Sequence, residues 1–198
     1  MFSIIIPTMW FSDKIHRNLS RLNDCEAVGE IILIDNNPSL KPTQIPSKVK
    51  YHTKGENIFV NPSWNWGVEL STYDNLCIAN DDVVFDTDIF HFIQPYLGLG
   101  IFGMATSNYY ERVNKPYNIK PIESRGWGWG CLLFVHKGNW IPIDERLKIA
   151  CGDDWLFDKL GGFEISGLDL GDDKISTTSI RAEFFKQQLD DIRLWSQF

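Results

Sequence analysis

Nowhere in the sequence do about 18 apolar residues run together, which excludes a membrane-spanning helix of ordinary length. The amino-terminal stretch MFSIIIPTMW lacks both a basic segment and a long apolar one, so it does not read as a secretory signal. Cysteine is sparse and scattered. Cys25, Cys77, Cys131 and Cys151 form no CxxC pair, and two of them lie inside apolar runs as buried free thiols do, which points to a reducing compartment. His16, His52, His91 and His136 stand at no metal-ligand spacing. Positive charge is short as well: 19 Lys and Arg against 26 Asp and Glu leave a net charge of -7, which argues against a broad nucleic-acid surface. These absences lead to the expectation of a cytoplasmic protein, in a bacterium or a virus-infected host cell.

What is present suits one substantial core. The chain is 43% hydrophobic and 23% charged, and its 198 residues fit a single domain, 1–198, without repeat, low-complexity segment or linker. FSIIIP reads as a buried strand, and Phe11, Ile15, Leu19 and Leu22 then recur at helical spacing before a second buried strand, EIILID. After the loop NNPSLKPTQIPSK comes a third strand, VKYHT, and Asn61 with Pro62 would open the helix SWNWGVELST. A strand at Leu76 to Ala79 follows. Thr87 would cap a short helix that Pro95 limits, LGIFGMAT supplies a strand, and SNYYERVNKPYNIKPIESRG reads as a long functional loop. GCLLFVH is a strand, DDWLFDKL a helix and GFEISG an edge strand. The tail, about 180–196, is an amphipathic helix with Phe185, Leu189 and Ile192 on one face. The alternation predicts an α/β fold with a doubly wound, mostly parallel sheet and helices on both faces, which binds ligands beyond the carboxyl ends of its strands.

The acids fall at those ends. Asp35 closes EIILID, Asp81 and Asp82 close the strand of LCIANDDVVF, and Asp153 with Asp154 precede a helix. Each has a plain reading, as a turn residue, a solvated loop or a helix cap. Taken together they read as one site. Two adjacent carboxylates repel, and a hard divalent cation at Asp82 would reconcile them, because such ions take oxygen ligands and keep positions for substrate phosphates. A nucleoside diphosphate fits that chemistry, with a separate carboxylate taking a proton from an attacking hydroxyl.

The ordered series IIIPT, ILIDNN, NWGV, IANDDVVF, GWGWGCLLF, IDERL and CGDDW resembles the nucleotide-sugar glycosyltransferases of the GT-A fold, and most closely their inverting family 2, from about residue 2 to residue 167. The resemblance implies that Pro7, Thr8, Asp35, Asn65, Gly67, Asn80 and Asp81 surround the donor nucleotide. It implies that Asp82, the last acid of a DxD-like triplet, holds Mn²⁺ or Mg²⁺. Asp154 would be the catalytic base, with Asp153 beside it. Asn80 departs from the family in replacing an acid. The family's His after the final strand is also missing, which leaves Asp172 or Asp173 as substitutes.

Trp127 and Trp129 would share a face if GWGWG is extended, and with Gly130 and Trp155 they are the candidates for sugar or acceptor contact. The alternative is two core tryptophans beside a tight bend. Tyr109, Tyr110 and Tyr117 could stack on an acceptor, and Lys115, Lys120 and Arg125 could close over a diphosphate or be solvated. Trp64 and Trp66 straddle a helix. The expected partners are a nucleoside diphosphate sugar and a glycan, glycoprotein or small-molecule acceptor. Two other readings stand beside the glycosyltransferase: a nucleotidyltransferase of sugar nucleotides, against which the absence of a GxGxR signature counts, and a non-catalytic carbohydrate-binding module derived from a glycosyltransferase.

Overall fold

In a computed structural model, residues 1–40, 44–110, 116–170 and 181–198 are described. The unbroken apolar runs become the middle of a sheet. Strand β1 (Phe2–Thr8) is buried along its whole length, as a parallel strand covered on both faces must be. It pairs in parallel with β2 (Val28–Asp35), which pairs in turn with β3 (Val49–His52), and on its other side with β4 (Asn75–Ala79). Beyond β4 lie β7 (Leu132–His136), β5 (Ile101–Met104), β8 (Gly162–Ser166) and β6 (Asn118–Ile122), in the order β3-β2-β1-β4-β7-β5-β8-β6. Four of the seven pairings are parallel. The α/β fold expected from the sequence is therefore the one observed.

Alternate residues of a strand face opposite layers. Ile4 and Ile6 pack with Ile15, Leu19 and Leu22 of α1 (Lys14–Asp24) and with Phe90 and Ile93 of α3 (Ile89–Ile93). Ile5 looks the other way, toward Trp64 and Val68 of α2 (Val60–Leu70) and Leu156 of α4 (Gly152–Leu160). Helix α5 (Ala182–Trp195) sets Leu194 and Trp195 against this second layer. No helix among the described residues is long and apolar enough to cross a membrane.

Three expectations are corrected. GFEISG is not an edge strand: β8 lies between β5 and β6, and β6 comes from the supposed long loop. Pro121 sits on that outer strand, where a missing amide costs nothing. Helix α2 begins at Val60, so Asn61 lies in its first turn, beside Pro62, rather than at its cap. Thr87 likewise makes no side-chain cap; Asp88 precedes α3, and at Pro95 the chain tightens into a 3₁₀ helix, Gln94–Leu99. Lys115, Asp172, Asp173 and the start of the tail at Ile180 lie outside the described residues.

At the sheet's amino-terminal rim a buried carboxylate ties four segments together. Glu30 of β2 accepts hydrogen bonds from the Ser3 hydroxyl and from the Thr72 amide and hydroxyl, and it faces Lys50 Nζ at 2.5 Å. Burial opposes its charge, yet Lys50, Ser3 and Thr72 outweigh that and hold its pKa at about 2. A carboxyl depressed on folding stabilises above its unfolded value near 4.5 and loses that contribution as pH falls toward 2. Glu30→Gln is expected to lower stability by roughly 2–3 kcal/mol at pH 7 and to flatten the acid limb between about pH 4.5 and 2, read by urea melts across pH.

Candidate active site

The parallel strands all end at the opposite rim. Thr8 closes β1 beside Asp35 of β2, and Ala79 of β4 is followed by Asn80, Asp81 and Asp82. Because β7 runs antiparallel to β4, it begins where β4 ends, and this brings residues 127–131 to the same rim. The Asn80 amide donates to the Cys131 carbonyl at 3.0 Å and locks the two together. The amino terminus of α4 completes the wall. The result is a cleft of about 450 Å³, lined among others by Pro7, Thr8, Asn80, Asp81, Asp82, Trp127, Gly130, Asp153 and Asp154.

Two acid pairs share this cleft and differ in their surroundings. Asp81 and Asp82 are buried, at 5% and 8% exposure. The Thr8 hydroxyl donates to Asp81 Oδ2 at 2.7 Å, but burial dominates and, with the neighbouring Asp82 charge, pushes Asp81 up to about 7. Asp153 and Asp154 share a guanidinium. Arg125 Nε donates to Asp154 Oδ1 at 2.6 Å, its Nη2 to Asp154 Oδ2, and its Nη1 stands 3.0 Å from Asp153 Oδ2. Burial raises the Asp153 pKa despite Arg125. Burial would lower Arg125, but the two carboxylates outweigh it and raise its pKa. Cys131 feels both Asp82 and Asp153, so the two pairs are close; burial pushes its thiol up to about 11 and keeps it protonated. Arg125 is the one Lys or Arg among the described residues lining the cleft.

Glycine lets α4 come this near. A Cβ on Gly130 would stand 2.6 Å from Asp153 Cβ, so a side chain there would displace the acids. Gly128 adopts φ 78°, a left-handed turn that favours glycine.

No family model and no curated protein matches the sequence of this chain. Solved structures do match its fold. It is similar to residues 1–349 of TarS from S. aureus in complex with UDP-GlcNAc, with a TM-score of 0.59 and 11% identity over 94% of this chain and 64% of that one. It is similar to S. aureus TarS (TM-score 0.58, 16% identity, 82% of this chain and 34% of that one). A third match is HddC from Yersinia pseudotuberculosis (TM-score 0.56, 14% identity, 83% and 89%). This chain spans less than two thirds of the TarS chains it matches.

Several expected site residues lie apart from the cleft lining. The Asp35 carboxylate accepts from the Tyr51 hydroxyl at 2.6 Å and the Asn37 amide at 2.7 Å, and it is 1% exposed; its neighbour Asn36 is the one that lines the cleft. Asn65 exchanges two hydrogen bonds with the backbone of Ile143. Gly67 meets Ile5, whose Cγ2 would lie 2.3 Å from an added Cβ, and thereby seats α2 on β1. Trp155 donates to the Pro142 carbonyl and packs edge-on with Trp195 and Phe198.

The tryptophan pair is split rather than aligned. The turn at Gly128 makes Trp129 a fully buried core residue, donating to the Phe163 carbonyl, while Trp127 stays 62% exposed at the cleft mouth over Tyr109. Tyr117 is tied to Asp86 and packs on Phe92, Tyr110 is exposed, and Lys120 pairs with Glu164. Trp64 is buried beside the cleft, and Trp66 meets His52 and Lys54. Arg125, weighed in the sequence as one of three loop cations, is the group that organises the acids. A charge balance over the rim segments is the signal that singles it out.

Proposed function

We propose that this chain is a glycosyltransferase that moves a hexosyl group from a nucleoside diphosphate sugar to an acceptor hydroxyl. One observation carries the reading: two acid pairs, Asp81 with Asp82 after β4 and Asp153 with Asp154 at the head of α4, meet in one cleft at the strand ends, with Arg125 seated on the second. The fold supports it, since TarS shares this architecture and was solved with UDP-GlcNAc, a nucleoside diphosphate sugar.

A diphosphate entering beside Asp81 and Asp82 would meet like charge. Among the described residues no three His, Cys, Asp or Glu gather as a metal cage. That donor set fits Mn²⁺ or Mg²⁺ bound through one or two carboxylates and completed by phosphates and water. Asp82, assisted by Asp81, would hold it, and the ion supplies charge neutralisation of the leaving diphosphate. Pro7, Thr8 and Asn36 would border the nucleotide, and Trp127 would offer its exposed indole face to a sugar.

Asp154 is the proposed base. Arg125 uses one lone pair on each of its oxygens, which leaves others to accept the proton of an acceptor hydroxyl. As that proton moves to Asp154, the acceptor oxygen bonds to the anomeric carbon and the bond to the diphosphate oxygen breaks. A single displacement of this kind inverts the anomeric centre. A glycan, a glycoprotein or a small molecule could supply the hydroxyl, and the acidic chain disfavours nucleic acid.

The test is a panel of nucleoside diphosphate sugars, each with Mn²⁺, with Mg²⁺ or with chelator, scored by release of free nucleoside diphosphate. Slow release from one donor, abolished by chelator, is the expected result. If no donor binds under any condition, the carbohydrate-binding module is the better reading.

A further inference from the structure

The acid pair follows directly on a segment, residues 148–150, that belongs to neither helix nor strand. Its amides and carbonyls still require partners, and two distant side chains provide them. Asp191 of α5, 1% exposed, accepts the Lys148 amide on Oδ1 at 3.1 Å and the Ile149 and Ala150 amides on Oδ2 at 2.6 and 2.8 Å. Gln187 Nε2 donates to its Oδ1 at 2.9 Å. Asn61 of α2 holds the other side: its amide donates to the Lys148 carbonyl and its Nδ2 to the Ala150 carbonyl, both at 3.0 Å.

The chain then has little room to move. Cys151 is left-handed, at φ 62° and ψ 9°, and a Cβ on Gly152 would lie 2.1 Å from Asn61 Oδ1. Asp153 and Asp154 come next, and the Trp155 amide on the Cys151 carbonyl begins α4. The same turn of α5 that clamps the segment also sends Gln188 and Ile192 to the cleft wall.

We propose that Asp191 is a positioning residue for the catalytic acids, fixing through three backbone amides the segment that aims Asp153 and Asp154 into the cleft. Charge-assisted hydrogen bonds to amides are short and directional, which suits holding a loop to within the tolerance that proton transfer needs. Helix α5 is thus a working part of the active site. The inference rests on the transferase reading above.

Asp191→Asn keeps the shape but loses one acceptor oxygen and sets an N–H against backbone N–H groups. With the donor found in the panel, kcat is expected to fall at least 30-fold while donor KM stays within threefold. Amide exchange at residues 148–150 should rise at least tenfold with β1 still protected. Glu30→Gln, at the far rim, is the control for lost stability and should turn over within threefold of wild type at a temperature where both are folded. Asn61→Ala removes the Nδ2 bond to the Ala150 carbonyl while keeping the backbone bond to Lys148, and should show the same split, which covers the case in which Asp191→Asn fails to fold. Turnover within threefold of wild type in the folded variants overturns the proposal, as does a loss matched by Glu30→Gln. Wild type that releases no diphosphate from any donor defeats the transferase reading instead, and the clamp is then judged by exchange: unchanged rates at 148–150 overturn it.

Discussion

Replacing Asp154 by Asn is expected to lower kcat about a thousandfold and leave donor KM within about threefold. The size follows from the proton. A positioned general base contributes about 10²- to 10⁴-fold, and an amide cannot take a proton from the acceptor hydroxyl at all. In the proposed arrangement the donor nucleotide is held by Pro7, Thr8 and Asn36 rather than by Asp154, so its binding should persist. Folding should persist too. Arg125 keeps its contact with Asp153 at 3.0 Å, so the substitution does not strand the guanidinium in a partly buried site. Steady-state release of nucleoside diphosphate in the presence of acceptor, with KM and kcat separated, is the measurement. Full activity in Asp154→Asn together with its loss in Asp153→Asn would transfer the base role to the more buried acid.

What could be seen in the sequence tracks how locally each feature is encoded. The core of the sheet was legible because a strand covered on both faces must be apolar at every position, and FSIIIP and EIILID are. Asp35, Asp81 and Asp82 were legible as one rim because parallel strands must all end on the same side, whereas Asp153 and Asp154, in the first turn of a helix, were joined to them by the coincidence of acidic sites and by the family resemblance. Features that depend on a single backbone torsion were not. Trp127 and Trp129 share a face only if the segment is extended, and one left-handed glycine between them sends the first to solvent and the second to the core. Strand β6 was hidden by Pro121, a residue that argues against a central strand and says nothing against an outer one. Arg125 and Asp191 were hidden for another reason. A loop arginine and an acid on an amphipathic helix look solvated until their partners, 29 and at least 41 residues away, are known.

Asp82→Ala is expected to cut metal-supported turnover by about 10²- to 10³-fold, and, unlike Asp154→Asn, to weaken donor affinity as well. Ion stabilisation of a leaving diphosphate is worth several kcal/mol, and each 1.4 kcal/mol is about tenfold. The cleft offers no replacement among its described residues: its one cation, Arg125, is occupied by the other acid pair, and no histidine lines it. Asp81 alone is a poor substitute, since burial raises its pKa to about 7 and a good part of it is protonated near neutrality. Removing the Asp82 charge also relieves one cause of that rise, so Asp81 should ionise more readily in the variant and recover some activity at high metal concentration. The expected pattern is a metal titration whose midpoint moves up by more than tenfold, with a reduced plateau, followed by nucleoside diphosphate release. An Asp82→Ala protein with wild-type midpoint and plateau would show that the diphosphate is neutralised elsewhere, and the Asp81–Asp82 pair would then need another explanation.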